Sequence, residues 1–172
     1  MFLNYLKNFF TKKKVKSNLL NVKNQPSEAV IITVGIVFDE SYFKEKESLV
    51  GELVRNGIVE SNIKVLVYKN KIKNKEVFNY PTFSHKDLSW KATFNKSDVG
   101  DFIAQKFDLL INYYDNEKSA LLLVTNQSKA NFKVGFSSVD KKLNHFMINT
   151  EIENYKIFID ELFKYLKILN KI

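Results

Sequence analysis

The chain has no cysteine and only two histidines, His85 and His145. Without thiols it forms no disulfide and needs no oxidising compartment, which fits a cytoplasmic protein. The same shortage leaves too few ligands for a structural zinc site, so no metal is expected. No Gly-x-Ser-x-Gly elbow is present and neither histidine adjoins a nucleophile and an acid, so no hydrolase triad is written in the chain. Arginine is nearly missing: 26 of the 27 basic residues are lysine and Arg55 is the exception. Specific readers of bases and phosphates rely on the planar guanidinium fork, and its scarcity argues against such a site. Glycine is scarce too, with five in all. None forms Gly-x-Gly-x-x-Gly or a Walker-type Gly-Lys-Ser/Thr, and Gly35 sits inside an apolar run instead of a turn. That removes the backbone cradle that phosphates use, and no cofactor is expected. No stretch reaches the roughly 20 apolar residues of a membrane-spanning helix.

Negative charge is also missing from one end. The first acidic residue is Glu28, and six lysines precede it: Lys7, Lys12, Lys13, Lys14, Lys16 and Lys23. The formal charge of +8 falls to 21 basic against 19 acidic residues beyond that segment. The basicity therefore belongs to the N-terminal extension, and attraction to anionic partners is expected to start there. Residues 2–20 read as a helix. Phe2, Leu3, Tyr5, Leu6, Phe9 and Phe10 share a face, and Lys13 and Lys16 interrupt it, so the amphipathic part is at most three turns. Its charges follow the apolar residues, the reverse of a secretory signal. Residues 21–28 read as a linker punctuated by Pro26. The expected organisation is a basic helix and linker over 1–28 and one α/β domain over 29–172, with 45% hydrophobic residues supplying a single core.

Within that domain, residues 29–38 (AVIITVGIVF) form a β-branched run, apolar on both faces, as in a central strand of a covered, mostly parallel sheet. Residues 41–56 follow as a helix, with Ser41 as its cap and Gly57 at its exit. NIKVLVY at 62–68 is a second strand. Residues 69–96 are a polar and aromatic stretch without clear periodicity. A short helix at 97–106 leads to a third strand at 107–114, and an apolar, buried helix spans 117–129. Strands at 131–136 and 143–149 are joined by only six residues. A parallel crossover usually takes about a dozen, so they are expected to be hairpin partners or not direct neighbours. The closing helix, 151–170, carries Ile152, Tyr155, Phe158, Ile159, Leu162, Phe163, Leu166 and Leu169 as one stripe, with Thr150 and Glu153 as a capping box. The order predicts a three-layer, Rossmann-like α/β sandwich with about five strands.

Ligands of such folds sit at the carboxyl ends of the strands. Here those ends carry Asp39 and Glu40, then Tyr114 and Asp115. Asp39, Glu40 and Asp115 have the oxygen chemistry for Mg²⁺, although acids at helix starts serve the helix dipole equally well. Lys46 falls close to that rim and could face an anion or lay its stem along the core edge. Tyr80, Phe83, Trp90 and Phe94, interleaved with Lys86, Lys91 and Lys96, could stack bases or fold a long loop onto the domain edge.

The segments Phe107-Asp108-Leu109-Leu110-Ile111-Asn112 and Ser128-Lys129-Ala130-Asn131-Phe132-Lys133-Val134-Gly135, the basic first helix and the closing Tyr165-Leu166-Lys167-Ile168-Leu169 together resemble a family of small Bacteroidetes α/β proteins with no assigned function. The window 107–136 also looks like part of the N-terminal domain of heptosyltransferase-type glycosyltransferases. That second likeness covers about thirty residues in packing elements. It implies the fold, and the chain is too short to include that family's nucleotide-sugar domain. The expected function is a non-enzymatic cytoplasmic module. It would dock on an anionic surface (the inner face of a membrane, or RNA) or on a protein complex. The docking face is Phe2, Leu6, Phe9 and Phe10, followed by Lys12, Lys13 and Lys14. The alternative is a small enzyme or ligand-binding domain using the rim of Asp39, Glu40, Lys46, Tyr114 and Asp115.

Overall fold

A computed structural model describes residues 11, 13–15, 29–73 and 75–172. The N-terminal helix expected over 2–20 therefore lies largely outside the described residues, as do Phe2, Leu6, Phe9, Phe10 and Lys12. Thr11 and residues 13–15 are helical; Thr11 and Val15 are buried, while Lys13 and Lys14 are exposed.

Six strands form one sheet: β1 (Val34–Asp39), β2 (Ile63–Tyr68), β3 (Thr82–Phe83), β4 (Leu109–Tyr113), β5 (Phe132–Phe136) and β6 (Phe146–Ile148). Their spatial order is β3-β2-β1-β4-β5-β6, and every neighbouring pair is parallel. This is the doubly wound order, with the strand order reversing between β1 and β4. The helices are α1 (Lys46–Arg55), α2 (Ser97–Ala104), α3 (Ser119–Gln127) and α4 (Tyr155–Ile168).

Alternation along the strands divides the core in two. Val34, Ile36 and Phe38 of β1 join Leu49 and Leu53 of α1 and Phe158, Leu162 and Leu166 of α4 on one face. Val37, between them, joins Val99 and Phe102 of α2 and Leu121 and Val124 of α3 on the other. Each strand thus presents side chains to both layers, as a period of two requires, and β1 is buried at every position. The expected α/β sandwich is present with one strand more than foreseen. Val15 joins the second face.

Four local expectations are corrected. The first strand starts at Val34, not residue 29. The carboxylate of Asp108 takes the N–H groups of Ile32 and Thr33 (3.1 and 2.9 Å) and the Thr33 hydroxyl, so this stretch is clipped to the start of β4 with Val30 and Ile32 exposed. Helix α1 begins five residues after Ser41, which does not cap it, whereas Gly57 does take the positive φ of a helix exit. Helix α4 begins at Tyr155 after Asn154 with no side-chain cap, so Thr150 and Glu153 form no capping box. Finally, β5 and β6 are direct parallel neighbours, pairing Val134 with Phe146 and Phe136 with Ile148. A short crossover suffices because β6 spans three residues, so the chain climbs little more than one helical turn before returning. The 3-10 turn Lys141–Leu143 makes the return, and Val139 and Leu143 bury into the second core face.

Candidate functional site

The carboxyl ends of β1 and β4 flank the point where strand order reverses, the usual ligand crevice of this architecture. A lysine of the chain itself occupies it. Lys118, in the turn before α3, donates from Nζ to Asp39 Oδ2 at 2.5 Å and to Ser41 Oγ at 2.9 Å. The Tyr42 and Tyr68 rings flank the ammonium, with centroids 4.8 and 4.9 Å away, in cation–π range. Asp39 is 1% exposed, and its other oxygen accepts the Ser41 N–H at 3.0 Å. The turn after β1 is therefore built around a carboxylate, and the carboxylate is neutralised by the residue opposite. Burial first, then the Asp39 charge, pushes the Tyr68 hydroxyl up to about 12.

Two further ion pairs continue along the rim. Lys46, the first residue of α1, donates to Glu40 at 3.1 Å. Lys69, just beyond β2, pairs with Glu76, whose second oxygen accepts the Lys73 N–H at 3.0 Å. Hydrogen bonding between those side chains raises the Lys69 ammonium above its ordinary range and holds the Glu76 carboxyl below it. Lys46, Glu40, Lys69 and Glu76 line a cleft of about 150 Å³ that Tyr80 and Thr82 close from the side of β3. Its charges balance, so it offers no bare cation to a phosphate.

The foreseen rim residues thus separate. Asp39, Glu40 and Lys46 stand at the strand ends, each engaged with a partner of opposite charge. Asp115 is half-buried and accepts from the Asn116 side-chain amide at 2.7 Å. Tyr114 is not on the rim surface at all: it is fully buried. Its hydroxyl meets Thr125 Oγ1 at 2.6 Å, Thr125 donates to Asn112 at 2.8 Å, and Asn112 donates to Asn144 at 2.7 Å. This interior polar chain crosses from α3 through β4 to the β5–β6 connection. Burial pushes the Tyr114 hydroxyl far up, although the bond to Thr125 opposes it. Among the described residues, no group of three or more His, Asp and Glu could hold a metal ion.

His145 packs on the Phe132 ring and accepts the Lys133 N–H at Nδ1, 2.9 Å, a structural position. The aromatic stretch before α2 mostly folds inward. Phe83 is buried against Tyr68 and Phe94, Tyr80 packs on the first core face, and Trp90 remains 47% exposed. Lys118, Ser41 and the two tyrosines were not foreseen as a group. Their signal is the strand order, because only a β1–β4 neighbourhood brings residue 118 opposite residue 39.

Fold and rim together define a doubly wound parallel α/β domain whose switch point is sealed by an internal lysine–carboxylate pair. The sequence profile of DUF6913, a family of unknown function, matches residues 7–169, and the chain belongs to that family. No curated protein and no solved structure matches the chain.

Proposed function

We propose that the protein is a non-enzymatic, Rossmann-like docking module of the bacterial cytoplasm that attaches to anionic surfaces through its lysine-rich N-terminal segment. The observation carrying this reading is the polarity of the described part of that segment: Thr11 and Val15 are buried while Lys13 and Lys14 are exposed. Such an arrangement seats the segment on the domain with Lys13 exposed, while the Lys14 ammonium donates to the Lys91 carbonyl at 3.2 Å. The sealed switch point supports the non-catalytic half, since the crevice this architecture uses for ligands is filled by Lys118 and lined by paired charges. The local likeness to glycosyltransferase N-terminal domains bears on packing elements and lends no activity.

Each lysine close to an anionic bilayer contributes about 1 kcal/mol, less as salt rises. Several of them give reversible, peripheral association rather than stable anchoring. The test is sedimentation with phosphatidylserine-containing and pure phosphatidylcholine vesicles at low and high salt, with a structured RNA as a parallel arm. Retention by an anionic surface at low salt is expected, lost on reversing Lys12, Lys13 and Lys14 to Glu. Equal retention by neutral vesicles, or none by either anionic surface, would sink the proposal. One observation favours a second reading, a small-ligand site: the 150 Å³ cleft between Lys46, Glu40, Lys69 and Glu76. A zwitterionic molecule would suit its balanced charges.

A further inference from the structure

Strand β3 covers only the last two residues of β2, pairing with Val67 and Tyr68. The cause is Pro81. Val67 N–H donates to the Pro81 carbonyl at 2.9 Å, and Lys69 N–H to Phe83 at 2.9 Å, which fixes the ladder. One step back, the Val65 carbonyl would take its hydrogen from the N–H of residue 81, and proline has none. The chain leaves the sheet there. Val65 faces the same side as Val67, so its N–H and C=O, with the Ile63 carbonyl, lie along an open sheet edge.

That edge is the floor of a groove of about 410 Å³, within the roughly 300–1,000 Å³ common for ligand clefts. Its two walls differ. On the α1/α4 side stand Ile63, Val65 and Tyr80, all apolar in what they present to the first core face. On the α2 side stand Phe102 and two exposed carboxylates, Asp98 and Asp101, facing a single lysine, Lys64. Neither carboxylate has an ion-pair partner among the described residues.

We propose that this groove takes an extended basic segment of a partner protein, which adds as a strand beside β2. Backbone groups of the incoming segment pair with Val65 and Ile63, as in other cases of strand addition. Side chains alternate across an added strand. One set therefore meets the apolar wall and the other meets Asp98 and Asp101, and a sequence alternating apolar and basic residues fits both walls. The described lining residues all lie outside the N-terminal segment.

The test uses the full-length, ¹⁵N-labelled protein and the peptide acetyl-Lys-Val-Lys-Val-Lys-amide. Saturable shifts are expected at the amides of residues 63–66 and 98–102. The Asp98→Asn, Asp101→Asn double variant should weaken binding about tenfold or more, the scale of losing charge-assisted bonds. A peptide with alternate N-methylated amides should not bind. Unmoved groove amides, equal binding of the Glu-Val-Glu-Val-Glu counterpart, or equal binding of the N-methylated peptide would each overturn the proposal. So would a dimer, seen by light scattering, whose own contacts protect these amides, because the occupant would then be a second copy. Reversing Lys12, Lys13 and Lys14 should leave peptide binding unchanged, which separates this site from surface docking.

Discussion

Lys133 is the most unusual side chain in the interior. It is the second residue of β5, 6% exposed, and its ammonium donates to the Thr125 carbonyl at 2.6 Å. Burial lowers it from the ordinary 10.5 to about 8. The sign of its effect on stability follows from proton counts. Below pH 8 both folded and unfolded chains hold the proton, and this group contributes no slope. Between 8 and 10.5 the unfolded chain holds more, so stability rises with pH. The gap corresponds to roughly 3 kcal/mol at about 1.4 kcal/mol per pH unit. Buried tyrosines act the other way above pH 10, because Tyr68, pushed up to about 12, keeps its proton when folded. Comparison with Lys133→Met removes that background. The variant should be at least as stable as the parent at pH 7, since replacing a buried charge by an apolar chain of similar length is often neutral or favourable. The parent should then gain on it between pH 8 and 10 in urea unfolding. A constant difference across that range would mean that Lys133 stays charged in the fold.

Helix α4 shows why some elements were readable and others were not. Phe158, Ile159, Leu162, Phe163 and Leu166 are all buried, as the stripe required, and α4 packs beside α1 over one sheet face. Leu162 is fully buried, so Leu162→Ala should cost about 2–5 kcal/mol. Chemical denaturation measures this, and a loss below about 0.5 kcal/mol, as at exposed sites, would show that the stripe does not pack. Long apolar patterns like this one, and the covered strands β1, β2 and β4, announce themselves because burial dictates every residue. Strand β3 does not. It has two residues, its place is set by pairing with β2, and its end is set by a missing N–H on Pro81. The start of α1 was misjudged for a related reason: Ser41 looks like a cap, but its hydroxyl is taken by Lys118. At the rim, Asp39 and Glu40 were legible as strand-end acids. Tyr114 was misplaced because a strand covered on both faces buries alternate residues in opposite layers, and adjacent tyrosines both vanish inside. Lys118 could not be paired with Asp39 without knowing that β1 and β4 are neighbours.

The N-terminal extension connects charge to stability, and the two can be separated. Removing residues 1–25 leaves 21 basic against 19 acidic residues, which takes away most of the net charge. Both core faces remain, since the sheet and helices α1 to α4 lie at Val34 and beyond. The truncated chain is therefore expected to unfold cooperatively. It should not be neutral, however. Val15 is 3% exposed and belongs to the second core face. Fully burying a valine-sized side chain is worth about 1.5–3 kcal/mol. At about 2–4 °C per kcal/mol for a domain of this size, truncation should lower Tm by several degrees. Full-length Val15→Asp should show a similar drop while keeping every lysine. Calorimetry and the vesicle assay then give a clean contrast. Truncation should lose both the Tm increment and anionic binding, and Val15→Asp should lose the increment first. An unchanged Tm in both variants would mean that Val15 contributes nothing to the core in solution. Loss of the cooperative transition on truncation would place the extension within the folding unit, and the boundary at residue 28 would have to move.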